Sequence, residues 1–172
     1  SACEEMVGFW LRVKQYADAY NSDKERLFDT LDPSLRRVAS GGDGLLDEVN
    51  ATVALRLPPG IRMQALQESL QRLAEPGTLR FYAEEVAFRA DKNTPLTRAF
   101  VAAIRKSGGR PGFKVKTGTS DMNVVGPVWD CPIVAYGPGD SNLDHTPDEH
   151  IDLEEYGRAI AVLSDALVTL AR

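Results

Sequence analysis

The first half of the chain is constrained most by residues 50–57, where apolar and polar side chains alternate. This alternation predicts a half-buried strand, and the Pro-Pro-Gly turn at residues 58–60 ends it. Helical spacing of apolar residues precedes the strand at residues 6–20 and returns after it at residues 61–74. Because a strand buried on one face must pack against other elements, the segment predicts a layered α+β unit.

Two further segments complete this unit. Residues 32–44 are rich in Gly, Ser and Pro and are expected to form a loop. Residues 79–88 alternate again and are expected to form a second strand. The predicted order is therefore helix, strand, helix, strand. A ferredoxin-like unit has one more strand, which we expect ahead of Ser1.

The second half has the pattern of an α/β domain. Thr94 followed by Pro95 predicts a helix start, and Asp152 with Glu155 predicts a capping box for the last helix. That helix carries an apolar stripe: Ile160, Leu163, Leu167, Leu170. Short apolar runs at residues 113–115, 124–125 and 133–136 predict strands, the last of them fully buried. We expect the division between the halves at residues 90 and 91.

Composition narrows the class of protein. The chain has 172 residues, 25 acidic against 20 basic, which disfavours binding to nucleic acid. It has no run of about 18 apolar residues, so no membrane span is predicted. No secretory signal is visible at the start, and two cysteines fit a reducing cytoplasm. With two histidines, a His-rich metal site held wholly within the chain is not expected.

Charge is segregated along the second half. Residues 92–116 contain seven Lys or Arg and no acid, whereas residues 117–157 contain nine acids and no Lys or Arg. One interpretation is two solvated faces. The other is a basic wall opposite an acidic, cation-binding region.

One candidate site is the loop at residues 116–121, Lys-Thr-Gly-Thr-Ser-Asp. Two hydroxyls flank a glycine directly after a predicted strand, where ligands bind in open α/β sheets. Glycine allows close approach of a ligand, and the hydroxyls and amides donate hydrogen bonds. The alternative is an ordinary turn rich in Ser and Thr.

A second candidate site surrounds His145, which has four carboxylates close in sequence: Asp140, Asp144, Asp148, Glu149. A neutral imidazole binds zinc well, and carboxylates serve as further ligands or orient the ring. The alternative is a structural or exposed histidine. His150 has the same chemistry, but it directly precedes the last helix and is expected at the surface.

Both sites resemble one known family. The sequences KTGTSD and YGPG, with DHTPDEH after them, resemble the C-terminal part of M20 metal-dependent amidohydrolases such as acetylornithine deacetylase. They are most similar to the branch that releases lysine or ornithine from an amino-group carrier protein. The resemblance implies an α/β catalytic domain, of which residues 91–172 are the C-terminal part. It also implies a ferredoxin-like lid that mediates dimerisation, formed by residues 1–90 without the first strand.

The resemblance also implies roles for individual residues. His145 corresponds to a ligand of one of two zinc ions, for which cobalt can substitute. Substrate-binding positions correspond to five residues: Arg56, Lys116, Gly118, Thr119, Ser120. Arg56 also fits a plain exposed strand arginine. The family's general base and remaining metal ligands would precede Ser1, so no catalytic residue is expected within this chain.

These implications lead to two hypotheses from different classes. In the first, the chain is part of a zinc-dependent amidohydrolase, inactive by itself, that acts on an acidic carrier protein or a small acylated amino acid. In the second, it is a non-catalytic dimerisation module. A nucleotide-binding loop at residues 137–141 is disfavoured, because the chain has neither a P-loop nor the dinucleotide glycine spacing.

Overall fold

The structure, a computed structural model, describes residues 1–116 and 118–172. It has two compact units, one of Ser1–Ala87 with Val115–Asn123 and one of Phe88–Lys114 with Val124–Arg172. Helices combine with antiparallel strands, so the predicted mixed α/β class is confirmed. The division at residues 90 and 91 stays a prediction. In the part of the chain described, no helix combines the length and apolar character needed to cross a bilayer.

The first unit has two long helices and a hairpin, the second unit has two helices, and a short helix contributes residues to both units. Their bounds are α1 (Ala2–Asn21), β1 (Asp32–Gly42), β2 (Asp47–Arg56), α2 (Met63–Ala74), α3 (Pro95–Lys106), α4 (Asp121–Val125) and α5 (Leu153–Leu170). The 3-10 turn Leu27–Asp29 lies between α1 and β1.

In the first unit, α1 and α2 form a layer over the base of the hairpin. Their buried residues meet Leu31 in one core: Val13, Ala17, Leu66, Leu70. Alternate residues of β2, Val53 and Leu55, pack against this core as predicted, and so does Leu57 directly after the strand. The Arg12 guanidinium donates to the Leu73 carbonyl at 2.9 Å and fixes one helix to the other.

The loop predicted at residues 32–44 is wrong, because Asp32–Gly42 form a strand of the hairpin. β1 pairs antiparallel with β2, from Asp32 opposite Arg56 to Gly42 opposite Asp47, with an irregularity between Leu35 and Arg37. From residue 36 onward β1 is exposed, so its sequence shows no buried alternation. The pairing with β2 determines this strand, and the local signals of Gly and Ser gave the wrong prediction.

The predicted strand at residues 79–88 is also wrong. In the described residues the sheet has two strands only, and residues 79–90 belong to no ladder. Leu79 and Phe81 nevertheless pack against the core of the first unit. Their alternation therefore reflects contact with the core on one side, without the hydrogen-bonded neighbour that defines a strand.

The second unit is built on the pairing of α3 with α5. Thr94 caps α3 as predicted, because its hydroxyl accepts from the backbone N–H of Thr97 at 3.2 Å. Asp152 caps α5 by accepting from the N–H of Glu155 at 2.7 Å, although the reciprocal half of the predicted capping box is not formed. The contact between the helices is made by Phe100 and four smaller side chains: Ala99, Ala103, Val162, Ala166.

The other strands predicted in the second half are absent from the described residues. Val124 and Val125 end the short helix α4, and residues 113–115 and 133–136 lie outside any ladder. Val134 packs against the helix pair, and the ring of Tyr136 lies 5.0 Å from that of Phe100. Residues 133–136 therefore contact the core but are not the fully buried strand that their apolar run predicts.

Candidate functional site

His145 lies in a sequence of tight turns in the second unit. Its backbone has a positive φ of 64°, in the left-handed region that few residues other than glycine occupy. The backbone N–H of His145 donates to the Glu149 carboxylate at 2.7 Å, and the Thr146 hydroxyl donates to the Leu143 carbonyl at 2.7 Å. This hydrogen bond between His145 and Glu149 therefore closes the loop, and the imidazole of His145 is exposed.

An acidic cleft of about 310 Å³ lies beside this loop. Its lining includes three carboxylates and one imidazole: Asp140, Asp144, Glu149, His150. Asp140 accepts hydrogen bonds from the backbone and side-chain amides of Asn142 at 3.0 and 2.9 Å. The cleft therefore concentrates negative charge, part of which is used to shape the loop.

His150 is exposed, as predicted, and its ring is oriented by the backbone. Nδ1 lies 2.7 Å from the Asp148 carbonyl. A carbonyl only accepts, so Nδ1 is the donor in this contact. The ring of His150 is thus bound to its own loop through one nitrogen.

The donor set does not by itself form a metal centre. Across residues 1–116 and 118–172, no group of three or more His, Cys, Asp or Glu side chains is arranged to hold a metal ion. Zinc takes four ligands in structural sites and three protein ligands in catalytic sites. His145 can supply one of these, so the described residues alone do not fit a zinc ion.

The loop around Gly118 is exposed and belongs to the first unit. Thr117 lies outside the described residues. The backbone N–H of Ser120 donates to Asn123 Oδ1 at 2.9 Å, and Asn123 Nδ2 donates to the Val86 carbonyl at 2.7 Å. Apart from Gly118 and its two chain neighbours, the described residues place no heavy atom within 4 Å of the position that a Cβ would take on Gly118, so the space beside it is open.

Asn123 is a residue that sequence reasoning missed. Its side chain bridges the candidate loop to residues 79–88, because it accepts from one and donates to the other. An Asn within three residues of a Ser in a loop is a known capping pattern, and this was the available signal. Its partner Val86 is 37 residues away in sequence, and no local pattern predicts that contact.

Arg56 lies at the base of the hairpin. Its guanidinium is 3.8 Å from the carboxylate of Asp32, its cross-strand partner, and both side chains are half exposed. Exposed pairs of this kind contribute little to stability. Arg56 and residues 118–120 belong to the first unit and His145 to the second, so their joint role in one site stays a prediction.

The Lys and Arg side chains of residues 92–114, the part of the basic segment that belongs to the second unit, are exposed. Lys106 pairs with Asp165, and Arg98 donates to the Asn93 carbonyl at 3.3 Å. In the described part of the chain, Arg105, Arg110 and Lys114 are exposed and have no ion-pair partner. These three cations are therefore available to an external anion.

Comparison with known proteins identifies the family. Residues 6–169 match the sequence pattern described as peptidase family M20/M25/M40. The chain belongs to this family. The resemblance carried by the KTGTSD and DHTPDEH motifs is thereby confirmed.

Relatives within this family have similar names. A protein of Deinococcus radiodurans named LysW-lysine hydrolase is 47% identical over 99% of the chain. Proteins of Thermococcus kodakarensis and Pyrococcus horikoshii, each named putative LysW-lysine/LysW-ornithine hydrolase, are 37% and 35% identical over 98% and 96% of it. These names agree with the branch that the motifs indicate.

The M20 chain spans about half the length of these relatives. The matched region covers 48% of the Deinococcus protein, 44% of the Thermococcus protein and 45% of the Pyrococcus protein. Slightly more than half of each relative therefore lies outside the region that this chain matches.

Proposed function

We propose that this chain supplies part of a metal-dependent amide hydrolase of lysine or arginine biosynthesis. The whole enzyme releases lysine or ornithine from a carrier-protein-bound or acylated precursor in the cytoplasm. The observation that carries this proposal is 47% identity over 99% of the chain to a protein named LysW-lysine hydrolase. Because the described residues hold no complete metal site, the chain is proposed to be inactive by itself.

His145 is proposed as one ligand of a zinc ion, with cobalt as a substitute and two ions in each whole subunit. Its exposed imidazole is of the ligand class that zinc prefers. The hydrogen bond from its backbone to Glu149 supports this role, because it fixes the loop that carries the ring. The remaining ligands, and the general base, are proposed to come from the region of family members that the chain does not match.

The loop at residues 116–120 and Arg56 are proposed to bind the substrate. Backbone amides, hydroxyls and cations suit the carboxylate of an amino acid, because hydrogen bonds to an ionised group are the strong ones. The proposed contacts are made by Arg56, Lys116, Gly118, Thr119 and Ser120. The exposure of residues 118–120 and the open space beside Gly118 support this assignment.

Two partners are proposed. An acidic carrier protein is attracted by the solvated cations Arg105, Arg110 and Lys114, since complementary charge raises association rates. A second subunit is bound through the first unit, proposed here to be the lid with ferredoxin-like topology. The helix layer over an antiparallel hairpin supports that topology.

The test uses a chimera in which this chain replaces the matching region of the Deinococcus protein. We expect the chimera to bind zinc and to hydrolyse an acylated lysine, and His145→Ala to reduce turnover by at least about 100-fold with loss of zinc. His150→Ala is the matched control, because this second histidine is also exposed and is bound to its own loop. Full zinc content and full turnover in His145→Ala would contradict the ligand assignment.

Measurements on the chain by itself distinguish the proposal from its alternative, a non-catalytic dimerisation module. The hairpin favours that alternative, because both of its outer edges lack a neighbouring strand in the described residues. A stable dimer, together with an inactive chimera, would favour the module. Turnover by the chain alone with two zinc ions bound would contradict the proposal that it is inactive by itself.

A further inference from the structure

A second cavity, of about 300 Å³, lies within the second unit. Apart from Pro138, its lining differs from that of the acidic cleft beside His145. Three segments form its walls, namely the end of α3 (Ile104, Ser107, Gly108, Gly109), residues 136–138, and one side of α5 (Glu155, Arg158, Ala159, Val162). Pockets for small molecules begin at about this volume and combine apolar walls with a few polar groups. The cavity therefore has the size and the mixed lining of a site for a small metabolite.

Glu155 and Arg158 give the cavity one negative and one positive side chain. They are three residues apart on α5, so their Cβ atoms are about 5–6 Å apart on one side of the helix. In the described part of the chain the Glu155 carboxylate has no hydrogen bond or ion pair, and the Arg158 guanidinium lies 3.7 Å from the exposed carboxylate of Glu154. An ammonium beside a carboxylate, as in the head group of an α-amino acid, matches these two charges.

Tyr136 adds a hydrogen-bond donor to the wall of the cavity. Burial, followed by the negative charge of Glu155, raises the pKa of Tyr136 above its ordinary value of 10.0. The phenol is therefore protonated at neutral pH, and its O–H can donate to a carboxylate. The ring packs against that of Phe100, with 5.0 Å between the centroids. A carboxylate in the cavity thus has two donors among the lining side chains, the guanidinium of Arg158 and this hydroxyl.

The end of α3 forms a wall that favours a cation. The backbone N–H of Gly109 donates to the Ile104 carbonyl at 2.9 Å and closes the last turn. Among the hydrogen bonds of residues 1–116 and 118–172, none is accepted by the carbonyls of Ser107 and Gly108. The C-terminal end of a helix carries a partial negative charge, so carbonyls at this position suit an ammonium group.

We propose that this cavity binds a basic α-amino acid of the size of lysine or ornithine. The α-carboxylate binds Arg158 and Tyr136, and the α-ammonium binds Glu155. The side-chain ammonium binds the carbonyls at the end of α3, and the alkyl chain lies against Ile104 and Val162. The ligand class follows from the charges of the cavity and does not depend on the proposed function. Lysine and ornithine are also the products under that function, so the cavity would then hold product at a second site.

The cavity is distinct from the residues proposed to bind the substrate. Arg56 and residues 118–120 belong to the first unit, whereas every residue that lines the cavity belongs to the second. Pro138 lines both the cavity and the acidic cleft. A ligand in the cavity therefore reaches the segment that leads to His145.

The test titrates the full, isotope-labelled chain with L-lysine and follows its amide signals by NMR. We expect saturable shifts at residues 107–109 and at Gly137. L-norleucine lacks the side-chain ammonium and cadaverine lacks the carboxylate, so each should bind at least about tenfold more weakly than lysine. Equal binding of norleucine, the absence of saturation, or shifts confined to residues 118–120 would overturn the proposal.

Two neighbouring carboxylates provide matched variants. Glu155 lines the cavity, whereas Glu154 is exposed and lies outside the lining. We expect Glu155→Gln to weaken lysine binding by at least about tenfold and Glu154→Gln to leave it within about twofold. Arg158→Gln should weaken the binding of lysine but not that of cadaverine, which has no carboxylate. Equal effects of the two glutamate variants would overturn the assignment of Glu155.

These outcomes are distinguishable from failure of the proposed function, because binding is measured without metal or substrate. Lysine binding in this cavity together with an inactive chimera supports the cavity assignment and contradicts the proposed function alone. An active chimera together with a chain that binds no lysine in the cavity has the opposite meaning.

Discussion

Asn21, at the end of α1, fixes the chain where it enters the core. Its side-chain amide donates to the Leu31 carbonyl and accepts from the Leu31 backbone N–H, both at 2.8 Å. Leu31 is 1% exposed, so its backbone has little access to water. One side chain thus satisfies two backbone groups at the connection between α1 and β1.

Replacement of Asn21 by Ala is expected to lower the free energy of unfolding by about 1–3 kcal/mol, because it leaves a buried donor and a buried acceptor unsatisfied. Chemical denaturation followed by circular dichroism measures this change. Ser22→Ala serves as the control, because its hydroxyl bonds only the exposed carbonyl of Ala19 and its loss should cost less than about 0.5 kcal/mol. Equal costs for the two variants would show that the Asn21 bridge is not stabilising.

Asp43 controls the turn of the hairpin through its charge. Its carboxylate accepts from the backbone N–H groups of Leu46 and Leu45, at 2.8 Å each, and these bonds hold the pKa of Asp43 below its ordinary value of 3.8. A lowered pKa in the folded state means that the ionised form stabilises the turn above pH 3.8. This contribution is lost as the pH falls through the lower pKa of the folded protein.

Titration of the Asp43 carboxyl carbon by NMR should therefore show a midpoint below 3.8. Amide exchange at Leu45 and Leu46 should become faster over the same pH range. In Asp43→Asn the turn should lose this pH dependence, because the amide does not titrate. A midpoint at or above the ordinary value would contradict the bonding described.

At the scale of elements, the pairing of α3 with α5 depends on small side chains. Ala103 and Ala166 are 3% and 0% exposed and lie in one cluster with Phe100 and Val162. Small residues bring helix axes close together, and no space is left for a longer side chain.

Ala166→Leu is expected to destabilise the second unit by about 1–3 kcal/mol through overpacking. Ala161→Leu makes the same chemical change at an exposed position of α5 and should change stability by less than about 0.5 kcal/mol. Thermal unfolding of both variants measures the difference. A neutral Ala166→Leu would mean that α5 shifts easily relative to α3.

The long helices were predictable from sequence because their signals are local. Thr94 with Pro95, and Asp152 ahead of its apolar stripe, mark helix starts within a few residues. The strand at Asp32–Gly42 was missed because its evidence lies in another segment, β2, and because most of it is exposed on both faces. The apolar run at residues 133–136 correctly indicated contact with a core, since Val134 packs against the helix pair. The strand pairing that the run predicts is absent from the described residues.

The residue types of the candidate site could be proposed from the sequence, whereas most of their contacts could not. His145 and Glu149 were identified from residue type and spacing, and the structure joins them through the backbone of His145. The role of Asn123 depends on a partner 37 residues away, which no local pattern indicates. Family motifs name the residues of a site, whereas their contacts depend on the tertiary fold.

At the scale of the molecule, two separate cores stabilise the chain. The first contains Leu31, Leu66 and Leu70, and the second contains Phe100 and Val162. The two tryptophans report on different units, since Trp10 packs against the first core and Trp129 belongs to the second unit.

Leu70→Ala is expected to lower the stability of the first unit by about 2–5 kcal/mol, because it opens a cavity in that core. In a Trp129→Phe background, the fluorescence of Trp10 should report this loss directly. Ala166→Leu in the same background should leave the transition of Trp10 nearly unchanged. A shift of similar size in both variants would show that the two cores unfold as one.

The exposed half of the hairpin has a mechanical consequence. Strands of 11 and 10 residues extend about 33 Å, and only the proximal part is held by the helix layer. A rotation of about 10° at the base therefore moves the tip by roughly 6 Å, in proportion to that length. Leu45 and Leu46, which are 92% and 71% exposed, lie at the tip of the hairpin. Small adjustments near Arg56 and Asp32 are thus amplified into large displacements of an apolar tip.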